Sequence, residues 1–367
     1  MGLDCVGHCR GNSRRYTQKN NASVTAKFPA NMTLSASGNS TIRSDGSTSS
    51  ALADRELESW ITEVRENPGP SCAAVGVQAL RADSEARAKS RVPGPELPIV
   101  KDLSADTGLS LRLYRASHEE KPMVIYLHGG GFVFGDLNSH DGICRRLALM
   151  ADVAVLAVDY RRAPENPSPA AVDDAVSAYT WAVEHLSELG GSAQNGVALA
   201  GDSAGGAIAL LAATRLVEDS MSPSALFLGY PNADMTLGQQ SITAKGNGWS
   251  LDSADLSWFV EQWVPDPSRR DYPTVSPIHA SLHGLPAVML ITAEHDPLRD
   301  EGELLAEKLR GANVPTCHYM ERGLVHGFFG LTHISPAAEH AASRAFADSG
   351  KFLREATNQP HAKPFQC

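Results

Sequence analysis

Small residues flank a serine in Gly201-Asp202-Ser203-Ala204-Gly205-Gly206, directly after the apolar run Val197-Ala198-Leu199-Ala200. No other stretch narrows the folding of this chain as much. The run before it reads as a strand, and the Ala/Leu-rich stretch after it reads as a helix over Ala204–Glu218. A chain that passes from strand to helix within one residue brings the two backbones together, so only small side chains fit two positions to either side. Gly201 and Gly205 meet that demand. Such a turn holds the Ser203 hydroxyl clear of the sheet at a helix N-terminus, whose dipole favours developing negative charge. A G-x-S-x-G sequence also arises as an ordinary turn in Gly/Ser-rich chains, so the flanking strand and helix carry the reading.

Upstream, His128-Gly129-Gly130-Gly131-Phe132 follows the β-forming run Met123-Val124-Ile125-Tyr126-Leu127. Consecutive glycines let the backbone approach a substrate and turn several N–H groups toward one point, which suits a tetrahedral oxyanion. Gly129 and Gly130 are the expected donors, with Ala204 N–H as the third. His128 reads as an anchor for the loop. A base and an orienting acid are expected downstream of the serine, in the order Ser, Asp, His. Val288-Met289-Leu290-Ile291 reads as a buried strand followed by Thr292-Ala293-Glu294-His295-Asp296, and Asp296 is the candidate acid, with Glu294 as its rival. After a short strand over 316–320, the loop Gly323-Leu324-Val325-His326-Gly327-Phe328 supplies His326 as the candidate base, with His295 as the rival.

These segments occur together with Val158-Asp159-Tyr160-Arg161-Arg162-Ala163-Pro164-Glu165, Pro167-Ser168-Pro169-Ala170-Ala171-Val172-Asp173-Asp174, Tyr230-Pro231 with Asp234, and Asp296-Pro297-Leu298-Arg299-Asp300-Glu301-Gly302. Over residues 52–353 the chain thereby resembles the bacterial hormone-sensitive-lipase-like carboxylesterases (family IV) of the α/β-hydrolase superfamily. The resemblance implies an α/β-hydrolase fold, with a mostly parallel central sheet flanked by helices and a helical cap. It implies a catalytic triad of Ser203, Asp296 and His326, an oxyanion hole at Gly129 and Gly130, and hydrolysis of short-chain acyl esters without a cofactor. A homodimer also follows from it. Arg162 stands where the family usually has an apolar residue, and Trp249 lies where Tyr is frequent. Two other functions fit the same scaffold: amide or lactam-related hydrolysis, and a non-catalytic small-molecule receptor. Receptors of this kind lose the histidine that His326 matches.

The expected organisation is a poorly ordered Ser/Asn/Thr/Gly-rich tail over 1–50, cap helices over 51–95, and catalytic segments over 96–231 and 272–356. A cap insertion over 232–271 and a C-terminal tail over 357–367 complete it. Leu52, Leu57, Trp60, Ile61 and Val64 form one helical apolar face in the first cap segment. Strands are expected at 124–127, 153–158, 196–200, 225–229, 287–291 and 316–320, with others before residue 120, alternating with helices as in a parallel sheet covered on both faces. Phe132, Trp249, Phe259 and Leu324 are the expected lining of the substrate pocket.

At 367 residues and 42% hydrophobic content, the chain can bury one large core with a small appendage. A net charge of −10, without a basic run interleaved with aromatics, speaks against a nucleic-acid partner. No apolar run approaches the roughly 18 residues of a bilayer span. The N-terminus lacks the apolar stretch of a secretory signal, and the six scattered cysteines read as free thiols, so a cytoplasmic location is expected. Cys5, His8 and Cys9 lack a second ligand cluster, and no metal site is expected there.

Overall fold

The structure is a computed structural model that describes residues 51–358. The expected tail over 1–50, with Cys5, His8 and Cys9, lies outside the described residues. The first half runs α1 (Arg55–Glu66), α2 (Cys72–Val75), α3 (Val77–Ser90), β1 (Ile99–Ser104), β2 (Ser110–Arg115), β3 (Met123–Leu127), α4 (Asp141–Met150), β4 (Ala154–Val158) and α5 (Ala170–Glu184). It continues with β5 (Val197–Asp202), α6 (Ala204–Glu218), β6 (Leu226–Gly229), α7 (Gln240–Ala244), α8 (Ser253–Trp263), β7 (Val288–His295), α9 (Arg299–Gly311), β8 (Thr316–Val325) and α10 (Pro336–Asn358).

The eight strands form one sheet in the order β1-β2-β4-β3-β5-β6-β7-β8. Pairing is antiparallel from β1 to β2 and from β2 to β4, and parallel from β4 through to β8. This is the α/β-hydrolase fold expected from the sequence. Strands β3, β4, β5 and β6 are buried along their whole length, which is why they read as unbroken apolar runs. Alternate side chains feed two cores. Met123, Ile125 and Leu127 pack with α5, α6 and α9 on one face, while Val124 and Tyr126 pack with α1, α4 and α10 on the other.

Two expected boundaries move. Thr292 to His295 belongs to β7 and Gly323 to Val325 belongs to β8, where loops were expected. Ala53 N–H donates to Gly323 O, and His295 pairs with Val325 after a register shift, so these strand ends gain partners that local sequence does not reveal.

The N-terminal helices and the 232–271 insertion pack on each other. Cys72 N–H donates to Asp255 Oδ1 at 2.7 Å, and Val75, Val77 and Leu80 share an apolar cluster with Trp258 and Phe259 of α8. Asp54 caps α1 by accepting from Leu57 N–H (2.7 Å) and ties that end to α10 by accepting from Ser335 Oγ (2.5 Å) and Ala337 N–H (2.7 Å). Cys72 and Cys144 are free thiols but Cys317 is disulfide-bonded, which corrects the expectation of a wholly free set. Among the described residues no helix is long and apolar enough to cross a membrane, and no cluster of three His, Cys, Asp or Glu could hold a metal ion.

Candidate active site

Ser203 sits between β5 and α6 with φ 54° and ψ −123°, a backbone conformation that L residues rarely adopt. The surrounding glycines explain how the chain reaches it. A Cβ on Gly201 would strike Gly205 O, and one on Gly205 would strike Leu127 O, both rigid backbone atoms. Ser203 N–H donates to Gly229 O at 2.8 Å, so the adjacent strand β6 holds the turn in place.

The register of β7 and β8 assembles the next pair. These strands are parallel and His295 pairs with Val325, so the residues that follow, Asp296 and His326, emerge side by side. His326 Nδ1 lies 2.8 Å from Asp296 Oδ2, and His326 Nε2 lies 2.9 Å from Ser203 Oγ. A carboxylate at Nδ1 fixes the tautomer with its proton there, which leaves Nε2 as an acceptor facing the serine. Asp296 is fully buried and its Oδ1 accepts from Leu298 N–H at 2.8 Å, so both oxygens are engaged. Tyr230 supports the imidazole edge-on, with ring centroids 4.9 Å apart. Ser203 Oγ has a second polar neighbour that sequence reasoning missed, Asn232 Oδ1 at 3.4 Å.

The rivals are occupied elsewhere. His295 stacks face to face on Trp249 at 4.1 Å, with Lys245 Nζ 3.1 Å from its Nδ1. Burial and then the Lys245 charge push its pKa down to about 4. Glu294 accepts from Gly323 N–H at 2.8 Å and faces Arg322 at 3.7 Å.

The glycine loop departs by one residue from expectation. Gly129 N–H donates to the buried Asp202 Oδ1 at 3.1 Å and lies 3.2 Å from His140 Nε2, so it is already committed within the protein. Asp202 Oδ1 also accepts from Tyr126 Oη at 2.8 Å. Burial opposes its charge, but His140 and these donors prevail and hold its pKa below the ordinary carboxylate value. Among the described residues no acceptor engages the N–H groups of Gly130, Gly131 or Ala204. Gly131 N–H, rather than Gly129 N–H, is thus left free beside Gly130 and Ala204. The φ of Gly131 is 57°, and a Cβ there would stand 2.5 Å from the Phe259 ring. His128 is an anchor, as expected. Its Nδ1 lies 2.8 Å from Gly129 O, its ring stacks on Tyr160 at 4.2 Å, and burial followed by the nearby His140 pushes its pKa down to about 3.

Of the four expected pocket residues, Phe259 packs on the glycine loop at Gly131. Phe132, whose φ is 65°, is buried in the core and stacks on Trp263 at 4.5 Å. Leu324 belongs to β8 and is buried in the core on the face that carries α1, α4 and α10. Trp249 lies between His295 and the Arg65 guanidinium, which sits 4.2 Å above its ring. A cavity of about 650 Å³ lies elsewhere, between the segment at Arg91 and the residues around Arg146 and His333.

Residues 124–330 match a family profile described as alpha/beta hydrolase fold. The chain is 39% identical over 277 residues to the carboxylic ester hydrolase LipN of Mycobacterium tuberculosis, covering 70% of this chain and 73% of that protein. It is 36% identical over 274 residues to an ethyl acetate hydrolase of Pseudomonas putida, covering 71% and 86% respectively. The crystal structure of EstE1, a thermophilic and thermostable carboxylesterase cloned from a metagenomic library, superposes with a TM-score of 0.72 at 35% identity, covering 77% of this chain and 99% of that one.

Proposed function

This chain belongs to the hormone-sensitive-lipase-like carboxylesterases of the alpha/beta hydrolase fold, and from that premise we propose that it hydrolyses short-chain acyl esters through an acyl-enzyme on Ser203. It is a carboxylic ester hydrolase. The observation that carries the mechanism is the line of hydrogen bonds Asp296–His326–Ser203, at 2.8 and 2.9 Å. Ser203 Oγ attacks the ester carbonyl while His326 Nε2 takes its proton. Asp296 stabilises the imidazolium, and His326 returns the proton to the departing alcohol. Water then repeats the sequence on the acyl-enzyme and releases the acid. The free N–H groups of Gly130, Gly131 and Ala204 supply the donors for the tetrahedral oxyanion.

The N-terminal helices and the 232–271 insertion act as the cap. Phe259, packed on the glycine loop, restricts the space beside Ser203 and disfavours long acyl chains. The match to an ethyl acetate hydrolase supports the same preference. His326, 2.9 Å from Ser203 Oγ, argues against the receptor alternative, which lacks a base. A homodimer, implied by the family resemblance, completes the proposal.

The test is turnover of p-nitrophenyl esters from acetate to palmitate. We expect the highest kcat/KM at two to about six acyl carbons, and a fall of roughly 10⁴-fold or more in Ser203→Ala. Wild-type turnover in that variant would remove the mechanism, and a preference for palmitate would remove the substrate class.

A further inference from the structure

Asn232 is 2% exposed and is fixed by its backbone on both sides. Its own N–H donates to Ser203 O at 3.2 Å, and the next two N–H groups, of Ala233 and Asp234, donate to Glu301 Oε1 at 2.6 and 3.2 Å. Its carboxamide lies against Ser203 Oγ at 3.4 Å and makes no other hydrogen bond among the described residues. A half-turn of that group exchanges acceptor for donor at the same place, because its two ends have the same shape. With Oδ1 toward the serine, Asn232 and His326 Nε2 are two acceptors competing for one hydroxyl proton. With Nδ2 toward it, the serine donates to His326 and accepts from Asn232, and the competition for the proton is gone.

Resting on the reading of Ser203 as nucleophile, we propose that Asn232 is a further catalytic residue, donating through Nδ2 to Ser203 Oγ. The contact aims the hydroxyl proton at His326 and strengthens as charge builds on Oγ. In acylation the Oγ–carbon bond forms as the proton passes to His326 Nε2, and the alcohol leaves with that proton. In deacylation water gives a proton to His326 as its oxygen bonds the acyl carbon, and Oγ leaves and takes the proton back. Asn232 transfers nothing. It stabilises Oγ while that atom attacks and again while it departs.

Asn232→Asp keeps the shape and removes the donor, and Asn232→Leu removes the polar group. We expect both to lower kcat on p-nitrophenyl acetate, and the rate of fluorophosphonate labelling of Ser203, by about tenfold or more, with KM within about twofold. In Asn232→Asp the acid limb of kcat/KM also moves to higher pH, because the new carboxylate favours the imidazolium. Either variant, folded with a wild-type melting temperature, that keeps kcat and labelling rate within about twofold of wild type overturns the proposal. The near-isosteric Asp variant decides if the Leu variant does not fold. Ser203→Ala separates the two readings: its inactivity alongside unaffected Asn232 variants sinks only the Asn232 role, whereas its retained turnover sinks the nucleophile.

Discussion

Gly205 illustrates how single residues set this site. Any side chain there meets the Leu127 carbonyl, and neither backbone can retreat because β3 and β5 pair through Leu127 and Gly201. The histidines show a second kind of constraint. His128, His295 and His318 are held neutral by burial, with pKa values pushed down to about 3, about 4 and about 4. An unfolded histidine titrates near 6.5, so on acidification the unfolded chain takes up protons before the native one does. Their contribution to stability is therefore complete above about pH 6.5 and is lost progressively as pH falls toward the folded values. Urea midpoints measured at pH 7, 6 and 5 should fall in that order. In His295→Phe, which keeps a ring for Trp249 to stack on, the fall should be shallower; an unchanged slope would mean that His295 is not held neutral.

Among the elements, α3 depends on one side chain for much of its attachment. Arg81 donates through Nε to Val133 O (2.8 Å) and through Nη2 to Ala163 O (2.9 Å), and it forks onto Glu165 at 2.9 and 2.7 Å. Val133 and Ala163 are joined to the glycine loop and to the segment before α5, so this arginine fastens an N-terminal helix to the back of the glycine loop. The ion pair is partly solvent-exposed, and the carbonyl contacts carry most of the effect. Arg81→Lys cannot reproduce the fork and should behave like Arg81→Ala. Both are expected to lower stability by about 1–3 kcal/mol in urea melts and to speed proteolysis after α3. Rescue by lysine would show that charge alone matters. The other side of the same loop rests on α8, where Trp263 stacks on Phe132 and Phe259 lies over Gly131. The loop is therefore held between two helical segments that the chain supplies far apart.

For the whole molecule, the parallel sheet places the candidate catalytic side chains at the C-terminal ends of neighbouring strands, as open α/β sheets do. Ser203 follows β5, Asn232 lies just beyond β6, Asp296 follows β7 and His326 follows β8. Cores on both faces fix those strand ends, so four positions spread over more than a hundred residues converge on one hydroxyl. The net charge of −10 at neutral pH keeps molecules apart, and it vanishes near the isoelectric point of about 5.7. Light scattering at fixed concentration should rise as pH is lowered from 7.5 toward that value. Scattering that stays flat to pH 5.7 would show that charge repulsion does not govern association.

The sequence by itself determined the elements whose signals are local. The Gly201–Gly205 spacing dictates a strand–turn–helix around Ser203, and the apolar runs at β3 to β6 dictate buried parallel strands, because sterics and burial act over a few residues. Asp296 and His326 were legible as candidates from the order of motifs along the chain. Their contact, and that of Asn232 with Ser203, depends on strand register and on Glu301 holding the chain after β6, neither of which is written in the neighbouring residues. Tertiary structure alone decided which glycine N–H groups are free, since Asp202 and His140 occupy Gly129 from separate segments. It also decided the fate of the aromatics. Phe132 and Leu324 enter the core while Phe259 meets the loop, because the direction of a side chain is set by backbone conformation and by what packs against it, not by hydrophobicity alone.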